Sequence, residues 1–96
     1  MPATSAGRLS IPEDVVFEVL DGEAVVLNLK TGIYFTLNQV GTRAWQLIRE
    51  HGELSKVRDV MLAEYEVEAA VLDADLKELA EQLRSKGLLA QTGANP

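Results

Sequence analysis

The stretch "EAVVLNLKTGIYFTLNQVGTRAWQLI", Glu23 to Ile48, contains a change of period that decides the fold. Up to Leu37 its apolar residues alternate: Val25, Leu27 and Leu29 precede a turn at Lys30-Thr31-Gly32, and Ile33, Phe35 and Leu37 follow it. Period two is the mark of a half-buried strand. From Asn38 the spacing becomes helical: Val40, Ala44, Leu47 and Ile48 share a face, with Trp45 beside them. Asn38 is suited to cap that helix by accepting from amides two or three residues on. Gly52 is placed to end it in a left-handed conformation.

Upstream, "VVFEVL" (Val15 to Leu20) is rich in β-formers, and Asp21-Gly22 is a strong hairpin signal. Two short links in succession give an antiparallel meander of three strands. Downstream, a second helix over about Leu54 to Tyr65 buries Leu54, Val57, Val60, Met61 and Tyr65. A third, about Glu68 to Lys86, presents Val71, Leu72, Leu76, Leu79, Ala80 and Leu83; Gly87 stops it, and Leu88 and Leu89 tuck back. The helices are the only cover for one face of the sheet. The predicted fold is therefore α+β, a three-stranded antiparallel sheet followed by three helices, winged helix-turn-helix-like. Residues 1–12 read as a flexible arm, 13–90 as the domain and 91–96 as a disordered tail.

Ninety-six residues make one modest core. With no cysteine there is no disulfide, thiolate metal site or thiol nucleophile, which fits a reducing compartment. "MPATSAGRLS" has no apolar signal region and no run is long enough for a membrane span, so a cytoplasmic protein with no membrane partner is expected.

Chemistry is scarce. His51, the one histidine, stands at a helix end, where a cation favours the helix dipole. Zinc, with one His and no Cys, would need carboxylates for the rest of its shell. Glu64, Glu66 and Glu68, or Asp73, Asp75 and Glu78, read as solvated faces, supported by Asp73-Lys77 and Lys77-Glu81 at i, i+4. Gly22 and Gly32 are isolated turn glycines rather than a phosphate cradle, and Ser55 and Ser85 have no histidine at a plausible spacing. No catalytic residue, metal or cofactor is implied. A net charge of −6 argues against nucleic acid: Lys56, Arg58, Lys77, Gln82, Arg84 and Lys86 are diluted by Asp59, Glu64, Asp73, Asp75, Glu78 and Glu81. A winged-helix DNA-binding regulator stays as the reading from a different class, on fold analogy alone.

The third strand of a meander is an edge with a row of unpaired amides and carbonyls. Soluble proteins blunt such edges with charge, proline or a bulge, and Ile33 to Leu37 is read as carrying none. Such an edge suits β-augmentation by an extended peptide. From the residues alone, cover by a helix, by the N-terminal arm or by a second copy is equally open, the last giving a homodimer through the edge strand.

"LNLKTGIYFTLNQVGTRAWQLI" (Leu27 to Ile48), then "LAEYEVE" (Leu62 to Glu68) and "LRSKGLL" (Leu83 to Leu89), resemble the PqqD family, the RiPP recognition elements, over about Val15 to Leu89. The resemblance implies binding of the leader segment of a ribosomally made precursor peptide, as a fourth strand against the third, in a groove closed by the last helix. It carries the strand edge onto Gly32, Ile33, Tyr34, Phe35, Thr36 and Leu37. It carries the helical wall onto Leu72, Leu76, Leu79, Ala80 and Leu83, some of which must be core. The implied partners are the precursor peptide and a separate processing enzyme. That enzyme is a leader peptidase if the protein serves lasso-peptide assembly, the favoured branch, or a radical SAM enzyme if it is a pyrroloquinoline quinone (PQQ) chaperone. On this model Phe35→Asp or Leu76→Asp abolishes leader binding.

Overall fold

The computed structural model describes residues 8–92. In chain order the elements are β1 (Arg8–Ser10), β2 (Val15–Leu20), β3 (Glu23–Asn28), β4 (Tyr34–Leu37), α1 (Gln39–His51), α2 (Leu54–Glu64), α3 (Ala69–Ser85) and β5 (Ala90–Thr92). β2, β3 and β4 form the expected antiparallel meander, so β4 is the third strand of the sequence reading. Asp21 and Gly22 both have positive φ, 54° and 80°, the type I′ geometry whose twist matches a two-residue hairpin.

The period-two pattern sorts the sheet into two faces. Val15, Ala24, Val26 and Leu37 are buried, with Phe17 and Phe35 partly so, all toward the helices. The helical pattern supplies the opposite wall: Ala44, Trp45, Leu47 and Ile48 from α1, Val57 and Met61 from α2, Leu72, Leu76, Ala80 and Leu83 from α3, then Leu88 and Leu89. Each large apolar side chain so buried stabilises the fold by roughly 1.5–3 kcal/mol. Trp45 meets the Phe17 ring edge to face at 5.8 Å, and the Arg49 guanidinium lies 4.5 Å from the centre of that ring.

Several expectations change at element ends. Val40 and Val71 lie in the first turns of their helices, and both are exposed. α2 stops at Glu64, one residue before Tyr65, which is also exposed. The arm assigned to residues 1–12 is structured in its second half, because Arg8–Ser10 pairs antiparallel with Ala90–Thr92. Leu9 anchors that ribbon: its side chain is buried and its N–H donates to the Gly52 carbonyl. Leu9 and Ile11 are two apolar residues ahead of Pro12, too short a run to establish a period, which is why the strand was missed. Residues 91 and 92 likewise belong to the ribbon rather than to a tail, while 1–7 and 93–96 lie outside the described residues.

One ion pair couples α1 to α2. Arg43 binds Glu64 through two bonds, Nε to Oε1 at 3.0 Å and Nη2 to Oε2 at 2.6 Å. The bond to Arg43 holds the Glu64 carboxyl below the usual glutamate range. A depressed carboxylate pKa contributes stability that is present above the unfolded value and lost as pH falls through the folded one. The stability difference between wild type and Glu64→Gln is therefore expected to hold at neutral pH and to shrink below about pH 4. Urea melts of both proteins at pH 7 and pH 3 measure it.

Candidate functional site

The β3–β4 connection sets up the edge. Gly32 donates its N–H to the Asn28 carbonyl, and Asn28 donates its own to Ile33, at 2.8 and 2.9 Å. Gly32 and Ile33 together therefore oppose one residue, a bulge whose first member needs positive φ; Gly32 has φ 79°. A Cβ at Gly32 would meet nothing within 4 Å, so the backbone, not space, demands glycine there. The edge thus carries a bulge at its start, against the sequence reading that it has none. Gly32 lies in that bulge, and Ile33 precedes the regular strand.

Counting from the Asn28–Ile33 bond, the antiparallel ladder turns the C=O of Ile33 and the main-chain groups of Phe35 and Leu37 toward β3, while the Ile33 N–H donates to the Thr31 hydroxyl at 3.2 Å. Tyr34 and Thr36 then present their N–H and C=O to the open side. Their side chains lie on the sheet face away from the helices, and Tyr34 is 64% exposed. β2 is the opposite edge, where the Leu29 N–H to Asp14 bond fixes the same alternation and leaves Phe17 and Val19 outward. At the far end of β4, Thr42 inserts its hydroxyl into the ladder, accepting from the Ala24 N–H at 2.8 Å and donating to the Leu37 carbonyl at 3.3 Å.

Beyond Leu37 the edge meets a groove. Asn38 caps α1 by accepting from the Gly41 N–H, and the first half of α1 faces α3 across a cavity of about 370 Å³. That lies at the lower end of the roughly 300–1,000 Å³ span of ligand cavities. Asn38, Val40, Leu72, Leu76 and Leu79 line it, with Asp75, Glu78 and Gln82 contributing polar groups. Toward the other end of β4, Lys86 places its ammonium 5.8 Å from the centre of the Phe35 ring. α3 therefore flanks both the strand and the groove that continues it.

The residues proposed from sequence divide as follows. Tyr34 and Thr36 offer free main chain, while Phe35 is half-buried beneath Lys86 and Leu37 is core. Of the helical set, Leu72, Leu76 and Leu79 reach the groove, Leu79 being the more open. Ala80 faces another cavity, between α3 and Leu9 of the terminal ribbon, and Leu83 is wholly enclosed. Leu76, at 5% exposure, makes Leu76→Asp a test of folding rather than of binding.

Sequence reasoning missed Val40, Asp75, Glu78, Gln82 and Lys86, because it assigned Val40 to the core and Asp75 and Glu78 to a solvated face, and weighed Gln82 and Lys86 only as nucleic-acid contacts. It also missed Asn28. The Asn28 Oδ1 accepts from the Lys30 and Thr31 amides, and its Nδ2 donates to the Gly87 carbonyl at 2.8 Å. One buried side chain thus ties the turn before β4 to the end of α3.

The family described as "Coenzyme PQQ synthesis protein D (PqqD)" matches residues 23–89. Among solved structures, TbiB1 in complex with the TbiA(beta) leader peptide is similar with a TM-score of 0.82 and 35% identity, over 88% of this chain and 99% of that one. Lasso peptide synthetase B1 complexed with the leader peptide has a TM-score of 0.78 at 22% identity, over 86% and 98%, a likeness of fold. No curated protein matches at a significant level.

Proposed function

This chain belongs to the PqqD family, and on that premise we propose that it binds the leader segment of a ribosomally synthesised precursor peptide and delivers it to a separate processing enzyme. The observation that carries the reading is the outward main chain of Tyr34 and Thr36 on an edge that no other strand covers among the described residues. A guest strand pairing there sends alternate side chains toward Phe35, Lys86 and α3, where Leu79 and the adjoining groove provide apolar contact.

The lasso-peptide branch is favoured, because the neighbour at 35% identity is a B1 protein in complex with its leader peptide. The alternative remains a PQQ chaperone that serves a radical SAM enzyme. We place the protein in the cytoplasm. No helix among the described residues is long and apolar enough to cross a membrane. We assign it binding rather than catalysis. It has no cysteine and one histidine, and among the described residues no group of three His, Cys, Asp or Glu could hold a metal ion. Arg43, Arg58 and Arg84 each pair with a carboxylate, which leaves little positive surface for a phosphate backbone.

Main-chain bonds fix register, and the bound segment raises the effective concentration of the peptide that follows it. Ordering a disordered leader costs roughly 2–5 kcal/mol, so affinity on the order of micromolar or somewhat tighter is expected. The test is an amide NMR titration with the TbiA(beta) leader peptide and with a quinone-type precursor. Saturable shifts at Ile33–Leu37 and along Leu72–Leu79 with one of them are expected. Shifts elsewhere, or with neither peptide, would remove the reading.

Leu79→Asp should weaken binding about tenfold, the equivalent of roughly 1.4 kcal/mol, by placing a charge against the guest's apolar side chains. Its thermal midpoint should stay close to wild type because the site is only half-buried. Fluorescence anisotropy of a labelled leader, together with a melt, checks both statements.

A further inference from the structure

The sheet face turned away from the helices is largely apolar, and the described residues leave it uncovered. Val16 is 44% exposed, Leu20 63%, Val25 40% and Tyr34 64%, with Leu27 half-buried among them. The register assembles them into rows: Val16, Leu27 and Tyr34 in one, Glu18, Val25 and Thr36 in the next, and Leu20 beside Glu23. Solvent-facing sheet positions ordinarily carry polar residues, and a contiguous apolar patch of this kind marks a surface that meets a partner.

We propose that this outer face docks the enzyme that processes the precursor, and that the bound leader completes the docking surface; the inference rests on the leader-binding reading above. Both rows end at β4, the edge where the guest pairs. Residues directly opposite one another in an antiparallel ladder share a face. Guest residues opposite Tyr34 and Thr36 therefore stand on the outer face and extend each row by one. Those opposite Ile33 and Phe35 turn toward α3. The free protein presents three strands to the partner and the loaded protein four, so the enzyme meets a larger apolar surface only when cargo is present.

Size and charge both favour an enzyme over a second copy as the occupant. Three strands about 4.8 Å apart and about 20 Å long cover roughly 300 Å², which suits the brief contact of a delivery step and falls well short of the ~800 Å² per partner of a standing dimer. A second copy laid on this face would also bring Glu18, Glu23 and Asp21 against the same residues, within a chain of net charge −6. A partner with an apolar patch and a basic or neutral rim meets neither objection.

The experiment uses the full chain, its precursor and the purified processing enzyme of the same pathway. Val16→Lys and Leu20→Lys place a cation on the face from β2, the strand farthest from the β4 edge, and Ala63→Lys on α2 is the control. The two face variants are expected to bind labelled leader within twofold of wild type, while the rate of leader processing at subsaturating enzyme falls at least tenfold. Ala63→Lys should leave both unchanged. An unchanged processing rate would overturn the proposal, and so would a parallel loss of leader affinity, which would assign the face to the leader itself. A wild-type dimer in sedimentation equilibrium that Val16→Lys dissociates would replace the enzyme with a second copy. Failure of wild type to bind leader at all would instead remove the underlying reading, and the inference with it.

Discussion

Tyr34→Pro is expected to lower leader affinity by about 30- to 100-fold while the domain stays folded. The ladder of β3 and β4 spends the amides of Phe35 and Leu37, and the Thr31 hydroxyl takes that of Ile33, so a proline at position 34 removes an N–H that the fold does not use. The guest loses more than that one donor. The pyrrolidine ring occupies the space its carbonyl would fill, so the neighbouring pair opens as well. Two main-chain bonds at roughly 1–1.4 kcal/mol each give the stated range. Two comparisons make the result specific. Val19→Pro removes an outward amide from the other edge, β2, and should leave leader affinity unchanged. Phe35→Pro removes an inward amide opposite Val26 and should damage the fold itself. Phe35→Asp tests the side chain instead of the main chain: the ring beneath Lys86 is replaced by a carboxylate, and binding should be lost from a folded protein. Anisotropy titrations of the four variants, each with a circular dichroism melt, decide the matter. Equal affinity of wild type and Tyr34→Pro would mean that the guest does not pair with this edge.

The meander, the helices and the strand that offers the edge are legible from residue spacing alone, because period and turn chemistry are local. Asp21-Gly22 and Gly32 announce their turns through the positive φ they must adopt, and Asn38 announces its cap. What stayed hidden depends on which elements meet. The β1–β5 ribbon joins residues eighty or more positions apart, and its core contribution, Leu9, has only Ile11 beside it to suggest alternation. The division of α3 between core and groove depends on where α1 crosses it, so Leu83 and Leu79 look alike in sequence while one is enclosed and the other lines the cavity. The bulge at Gly32–Ile33 shifts which amides face outward by one residue, and no count of alternating side chains reveals it. The family resemblance names the edge only as a region. The ladder is what narrows it to Tyr34 and Thr36.

Asn28→Ala should produce the largest loss of stability of any polar substitution in the hairpin, about 2–4 kcal/mol. Asparagine at a strand end reads from sequence as a turn residue, yet this one is 8% exposed and serves three partners. Removing it strands the amides of Lys30 and Thr31 and the carbonyl of Gly87, and unsatisfied buried groups cost about 1–3 kcal/mol apiece, less where water reaches them. In a domain of this size that corresponds to a fall in melting temperature on the order of 15 °C. Asn28→Asp separates the two functions of the side chain. Its carboxylate can still accept from the Lys30 and Thr31 amides, but it cannot donate to Gly87, and it sets negative charge against that carbonyl. The turn should therefore survive while the end of α3 is released. Lys86 precedes Gly87 and lies over Phe35, so freeing Gly87 loosens the contact between α3 and the edge strand. Asn28→Asp is accordingly expected to fold at 15 °C, to keep wild-type amide shifts at Lys30 and Thr31, and to bind leader several-fold more weakly. If it matched wild type in both melting temperature and leader affinity, the Gly87 bond would not set the position of α3, and the width of the site would have to come from the apolar packing of Leu83, Leu88 and Leu89 alone.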